Sequence, residues 1–144
     1  MPLNFEEIEI GGELGPVDKV VSSKDVEEFT RIQREDGAAP DFFTDAEAAH
    51  RAGLPGKIVP GPISMAFMAQ LLVAWSDGGW VRKLDVVFRQ TVPHNTPLRV
   101  VGVVTDKYQV DDKGHVECDI NVETEEGGQL VGGQAVVVLP IGPN

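Results

Sequence analysis

The sequence predicts a single α+β domain in which an antiparallel sheet wraps one apolar helix, and three observations carry that reading. The stretch Gly61 to Trp75, GPISMAFMAQLLVAW, is apolar on every helical face, with Gln70 the only polar interruption after Met65. Such a helix has to be surrounded. Downstream, the apolar period changes from helical to two, most cleanly where Val116, Cys118, Ile120 and Val122 alternate with Glu117, Asp119, Asn121 and Glu123. That alternation is the mark of a half-buried strand, and a sheet of such strands has one face to cover. Finally, no linker, low-complexity tract or repeat divides residues 1–144, a length that buries a real core in one domain.

Each element has its own warrant. Phe5, Ile8 and Ile10 form a short amphipathic start before Gly11-Gly12, and Val17 to Val21 reads as a strand. Ser22 and Ser23 are N-cap candidates for a helix carried by Val26, Phe29, Ile32 and Gln33 to about Arg34. Residues 35–40 break the pattern. Thr44-Asp45-Ala46-Glu47 has the form of a capping box, opening a short helix through Arg51 that stops at Gly53. Gly61 then precedes Pro62, a residue suited to the first turn of a helix, and Ala, Met and Leu favour helix beyond it. After Asp77-Gly78-Gly79, Leu84, Val86 and Phe88 alternate with charged and smaller residues, with Trp80 at the handover. Turns at 93–97, 111–114 and 125–128 separate strands at 98–104, 116–123 and 129–139. The expected order is strand, helices, enclosed helix, then four antiparallel strands in a meander. A sheet curled round a helix in this way is the hotdog fold.

Composition excludes several functions. The net charge of -11 argues against nucleic acid, whose phosphates demand a basic face. The 61–75 helix is too short to span a membrane, which needs about 20 apolar residues. The N-terminal MPLNFEEIEIGG carries acids where a signal peptide carries bases, and the single Cys118 allows no internal disulfide, so a reducing, cytoplasmic setting is expected. No zinc-ligand spacing and no glycine-rich phosphate loop is present, so neither a metal nor a nucleotide cofactor is expected.

Phe43-Thr44-Asp45-Ala46-Glu47-Ala48-Ala49, Ala52-Gly53-Leu54-Pro55-Gly56, Ile58-Val59-Pro60-Gly61 and the apolar helix together resemble the MaoC-like dehydratases and (R)-specific enoyl-CoA hydratases. Val81 to Phe88 and the loop from Val92 to Leu98 extend the likeness. The resemblance implies a hotdog domain acting on acyl-CoA or acyl-carrier thioesters, with coenzyme A present only as part of the substrate. It implies hydration or dehydration of an enoyl thioester by an Asp/His pair. Here Ala38 stands at the Asp position, Pro40 at the Asn and Phe43 at the His, while Pro60-Gly61 replaces a later His-Gly. Asp36 and Asp41 are candidate substitutes, since two carboxylates do acid–base work when burial separates their pKa values. The alternative is that Asp36 ends a helix and Asp41 turns a loop.

Gly61 is the candidate to bond a thioester oxygen at the helix N-terminus. Ser64 is either a tunnel-lining hydroxyl or a helix-start residue bonding backbone. Arg89, with Arg51, Arg82 and Lys83, is a candidate for the phosphates of a coenzyme A arm, against a reading as solvated surface charge. His50, His94 and His115 read as surface residues, and Cys118 as a small core residue. Three functions remain open: a hydratase or dehydratase, a non-catalytic hotdog subunit of a hetero-oligomeric dehydratase, and an acyl-CoA thioesterase. A homodimer or heterodimer with another hotdog chain is expected, because edge-to-edge pairing protects an exposed strand.

Overall fold

The structure, a computed structural model, describes residues 3–36 and 40–142, with only the backbone at 34–36. A 310 turn at Phe5–Glu7 leads into β1 (Glu13–Lys19), α1 (Ser23–Asp36), a second 310 turn (Asp41–Phe43), α2 (Ala46–Arg51) and α3 (Gly61–Ser76). The strands β2 (Trp80–Phe88), β3 (Leu98–Val110), β4 (Lys113–Thr124) and β5 (Gln129–Pro140) follow. All pairings are antiparallel, in one five-stranded sheet of order β1-β3-β4-β5-β2.

This order corrects the meander. β3, β4 and β5 do run as consecutive hairpins, but β2 lies beyond β5 at the far edge, pairing Leu84 with Ala135 and Val86 with Gly133. The Pro-flanked segment before β3 is therefore part of a crossing from one side of the sheet to the other, not a hairpin turn. Strand β1 both starts and ends earlier than the apolar run suggests: Glu13, Leu14, Val17, Asp18 and Lys19 pair with β3, and Val21 is buried in the approach to α1. A register shift between Leu14 and Val17 takes up Gly15-Pro16, as an edge strand allows.

α3 lies in the hollow of the sheet and touches all five strands. Its buried residues Ser64, Met68, Leu71, Leu72 and Ser76 recur at helical spacing on one face. They meet the inward side chains of β4 and β5, among them Ile120, Val122, Ala135 and Val137. Fully burying a side chain such as Met68 or Leu72 contributes about 1.5–3 kcal/mol. The helix is nonetheless not enclosed: Met65 and Val73 are exposed. One chain buries one side of an all-apolar helix. Gln70, also exposed, accepts a hydrogen bond of 3.0 Å from Lys19 Nζ of β1.

The helix starts are set by local hydrogen bonds. Before α1, Ser22 N–H donates to Asp25 Oδ2 at 3.1 Å and Asp25 N–H to Ser22 Oγ at 3.1 Å, a reciprocal capping box. The bond from the Ser22 backbone, then that from its hydroxyl, holds the Asp25 carboxyl below the usual range. For α2 the cap is Asp45, not Thr44: Asp45 Oδ1 accepts from Glu47 N–H at 2.9 Å and Ala48 N–H at 3.4 Å. Thr44 lies one residue too early, because the 310 turn at Asp41–Phe43 ends on it. Asp45→Ala is expected to cost about 1 kcal/mol in chemical denaturation, with Asp45→Asn restoring most of it.

Cys118 faces the core as expected, and burial, then the neighbouring Asp119, pushes its thiol up to about 12. Because the thiolate is the reactive form, native protein at pH 8 should resist alkylation by iodoacetamide and be labelled only after unfolding. Rapid labelling of the folded chain would contradict this packing.

Candidate functional site

Among the described residues, the start of α3 leaves polar groups without protein partners, as does the buried His115 ring at Nδ1 elsewhere in the fold. The N–H groups of a first helical turn have no intrahelical acceptor. Pro62 has no N–H, that of Ile63 is turned to the Pro60 carbonyl at 3.1 Å, and no side chain caps the helix. The Gly61 N–H remains at the tip. One turn on, the Ser64 side chain is 1% exposed, and its hydroxyl has no hydrogen-bond partner among the described residues. The alternative for Ser64, bonding its own backbone, is the role that Ser76 plays at the other end by donating to the Val73 carbonyl at 3.2 Å.

A cavity of about 480 Å³ opens on this turn, lined by Phe42, Phe43, Ile58, Val59, Gly61, Ser64, Phe88, Arg89, Gln90, Thr91 and Val92. Its walls come from three places. Asp41 carbonyl accepts from Thr44 and Asp45 N–H, and the turn so formed brings in Phe42 and Phe43, whose rings meet edge-on at 4.6 Å. Ile58 and Val59 are tied to the β2–β3 crossing by an antiparallel bridge from Ile58 to Pro93 and by Val59 N–H donating to Val92 carbonyl at 2.7 Å. The rim follows β2, where Arg89 and Gln90 N–H both donate to the Leu130 carbonyl, at 2.9 and 3.0 Å.

Phe88 closes the tip. A Cβ placed on Gly61 would lie 2.8 Å from Phe88 Cζ, so the ring occupies the space that any larger residue needs. Glycine at 61 is thus explained by a contact with the end of β2, and not only by helix geometry. The Arg89 side chain spreads over β5, its Nε 3.3 Å from a Cβ placed on Gly132, and it has no acidic partner among the described residues.

Of the residues singled out in the sequence, Gly61, Ser64, Phe43 and Arg89 come together here. Asp41 is exposed and outside the lining, although Phe42 and Phe43, which follow it, are in it. The backbone of Asp36 ends α1, while its side chain and Ala38 lie outside the described residues. The described lining carries no carboxylate and no histidine. The other basic candidates are engaged elsewhere: Lys83 with Asp85 at 3.2 Å, Arg51 with Glu47 at 3.9 Å, and Arg82 with His115 at 3.0 Å.

His115 is a correction. It is 5% exposed, stacked on Tyr108 with ring centroids 5.4 Å apart, and Arg82 donates to its Nε2. A strand-start position said nothing of the two longer side chains that cover it. Phe42, Phe88, Gln90 and Thr91 are lining residues that sequence reasoning missed. Their only signal was proximity to motif residues, because β2 meets α3 through tertiary packing.

A five-stranded sheet curled on one helix, with a cavity at the helix N-terminus, defines a hotdog protein. The MaoC like domain family matches residues 42–126, and the chain belongs to that family. The MaoC-like dehydratase of Rhodospirillum rubrum superposes with a TM-score of 0.84 at 20% identity, covering 99% of each chain. The (R)-hydratase of A. caviae involved in PHA biosynthesis gives 0.79 at 19% identity, over 94% of this chain and 99% of that one. The HadBC (3R-hydroxyacyl-ACP dehydratase) complex of Mycobacterium tuberculosis gives 0.73 at 14% identity, over 90% and 96%. No curated protein matches the sequence.

Gly61→Ala is expected to displace the Phe88 ring. Because that ring is half exposed and free to swing, the cost in chemical denaturation should be at the low end for overpacking, about 1 kcal/mol. In a Phe88→Ala background the same substitution should cost nothing measurable. Additive losses in the double-mutant cycle would show that the two residues do not compete for space.

Proposed function

We propose that this chain binds an acyl thioester, carried by coenzyme A or by a carrier protein, in the cavity at the start of α3. It serves enoyl-thioester hydration or dehydration there as one half of a hotdog pair. The observation that carries the reading is the cavity itself, apolar along Phe42, Phe43, Ile58, Val59 and Val92, with Ser64 and Gly61 at one end and Arg89 at the rim. The apolar walls suit an acyl chain. The Gly61 N–H and the Ser64 hydroxyl suit the thioester oxygen, where charge develops when water adds or leaves. Arg89 suits a phosphate, held by a local base because the net charge of -11 repels anions at long range.

Phe43 lines the cavity where the family resemblance places a histidine, and a phenyl ring moves no proton. Proton transfer is therefore assigned to a partner chain. Two features support a partner. β2 is a free sheet edge that exposes Trp80, Val87 and Phe88, and α3 exposes Met65 and Val73. The HadBC dehydratase is named as a complex. A second reading keeps the chemistry in this chain through Asp36 and Asp41, which bracket the segment leading into the Phe42-Phe43 turn.

The purified chain should bind acyl-CoA yet hydrate an enoyl-CoA no faster than buffer, and it should gain turnover with a co-purifying hotdog chain that bears Asp and His. Turnover by the chain alone, lost in Asp36→Asn or Asp41→Asn with folding intact, would establish the second reading. Release of free thiol from a saturated acyl-CoA would identify a thioesterase.

A further inference from the structure

The cavity wall at Ile58 and Val59 belongs to no helix or strand, so what holds it decides the cavity's shape. Pro93 opposite Ile58 has no N–H to offer, and the Ile58 carbonyl is met instead by the ring of His94, Nε2 to oxygen 2.9 Å. A carbonyl only accepts, so Nε2 carries the proton. In the neutral ring Nδ1 is then an acceptor, and Ser23 Oγ lies 3.0 Å away to donate to it.

The chain of bonds continues. Asn95 Nδ2 donates to Ser23 Oγ at 3.2 Å, Ser23 N–H donates to Asn95 Oδ1 at 3.3 Å, and Asn95 N–H donates to the Val21 carbonyl at 2.8 Å. Asn95 has φ +56°, a left-handed conformation that asparagine adopts more readily than most residues. Asn95 Nδ2 donates to Ser23 Oγ, Ser23 Oγ to His94 Nδ1 and His94 Nε2–H to the Ile58 carbonyl, so an unbroken run of donors and acceptors joins the start of α1 to the wall.

We propose that His94 is a positioning residue: by donating Nε2–H to Ile58 it ties the Ile58–Val59 wall to the start of α1 and holds the cavity in its binding shape. The proposal rests on the acyl-thioester reading for its ligand, and on hydrogen bonds alone for the tie.

The side-chain amides of Gln and Asn separate this role from bulk packing. A Gln amide nitrogen reaches the place of Nε2, whereas an Asn amide reaches only that of Nδ1. Titrated with octanoyl-CoA in a calorimeter, His94→Ala and His94→Asn should bind roughly tenfold more weakly than wild type, and His94→Gln within about twofold. Equal affinity in His94→Ala, or rescue by Asn as complete as by Gln, overturns the proposal. Two ligand-free readouts accompany it. Ring 15N shifts of the wild-type chain should show the Nε2–H tautomer, and Val59 amide exchange should quicken in His94→Asn but not in His94→Gln. The opposite tautomer, or unchanged Val59 exchange, also overturns it. If the wild type binds no octanoyl-CoA, the acyl-thioester reading fails, and the tautomer and exchange results decide the role of His94.

Discussion

The burial of one face of α3 in the hollow of the sheet is the constraint on which the other features depend. Met68 and Leu72 have no exposed surface, and the sheet is shaped to receive them: a Cβ at Gly133 would lie 2.8 Å from Met68 Cε. A helix seated that deeply has little freedom to rotate or slide, because close-packed interiors transmit such shifts instead of absorbing them. Its N-terminus therefore arrives at a set place, against the end of β2. There Phe88 meets Gly61, and the cavity occupies the gap between the helix tip, the Phe42-Phe43 turn and the Ile58–Val59 wall.

The same seating explains the distribution of polar groups. Along most of α3 the backbone satisfies itself, and Ser76 bonds back to Val73. At the first turn it does not, and the proline at position 62 with the buried Ser64 leaves a small polar end in an otherwise apolar hollow. The two histidines that the fold uses structurally lie away from that end's lining. His94 serves the wall from behind, and His115 is stacked on Tyr108 beneath Arg82.

The sequence by itself determined the parts whose signals are local. The apolar run at 61–75, the alternation at 116–123 and the turn residues at 111–114 and 125–128 reported the helix, β4 and the two hairpins, since side-chain periodicity follows directly from backbone geometry. Motif residues likewise marked Gly61, Ser64, Phe43 and Arg89, which the fold then gathered. Tertiary structure alone decided which strand β2 joins, because a two-residue period records that a face is buried but not which neighbour supplies the hydrogen bonds. It decided that α3 is covered on one side only, since an all-apolar helix carries no asymmetry from which to read its exposed face. It also decided that glycine at 61 makes room for a phenyl ring and that His94 holds the Ile58 carbonyl. Both are contacts between segments distant in sequence, brought together by packing of α3 on β2 in one case and by the segment that crosses to β3 in the other.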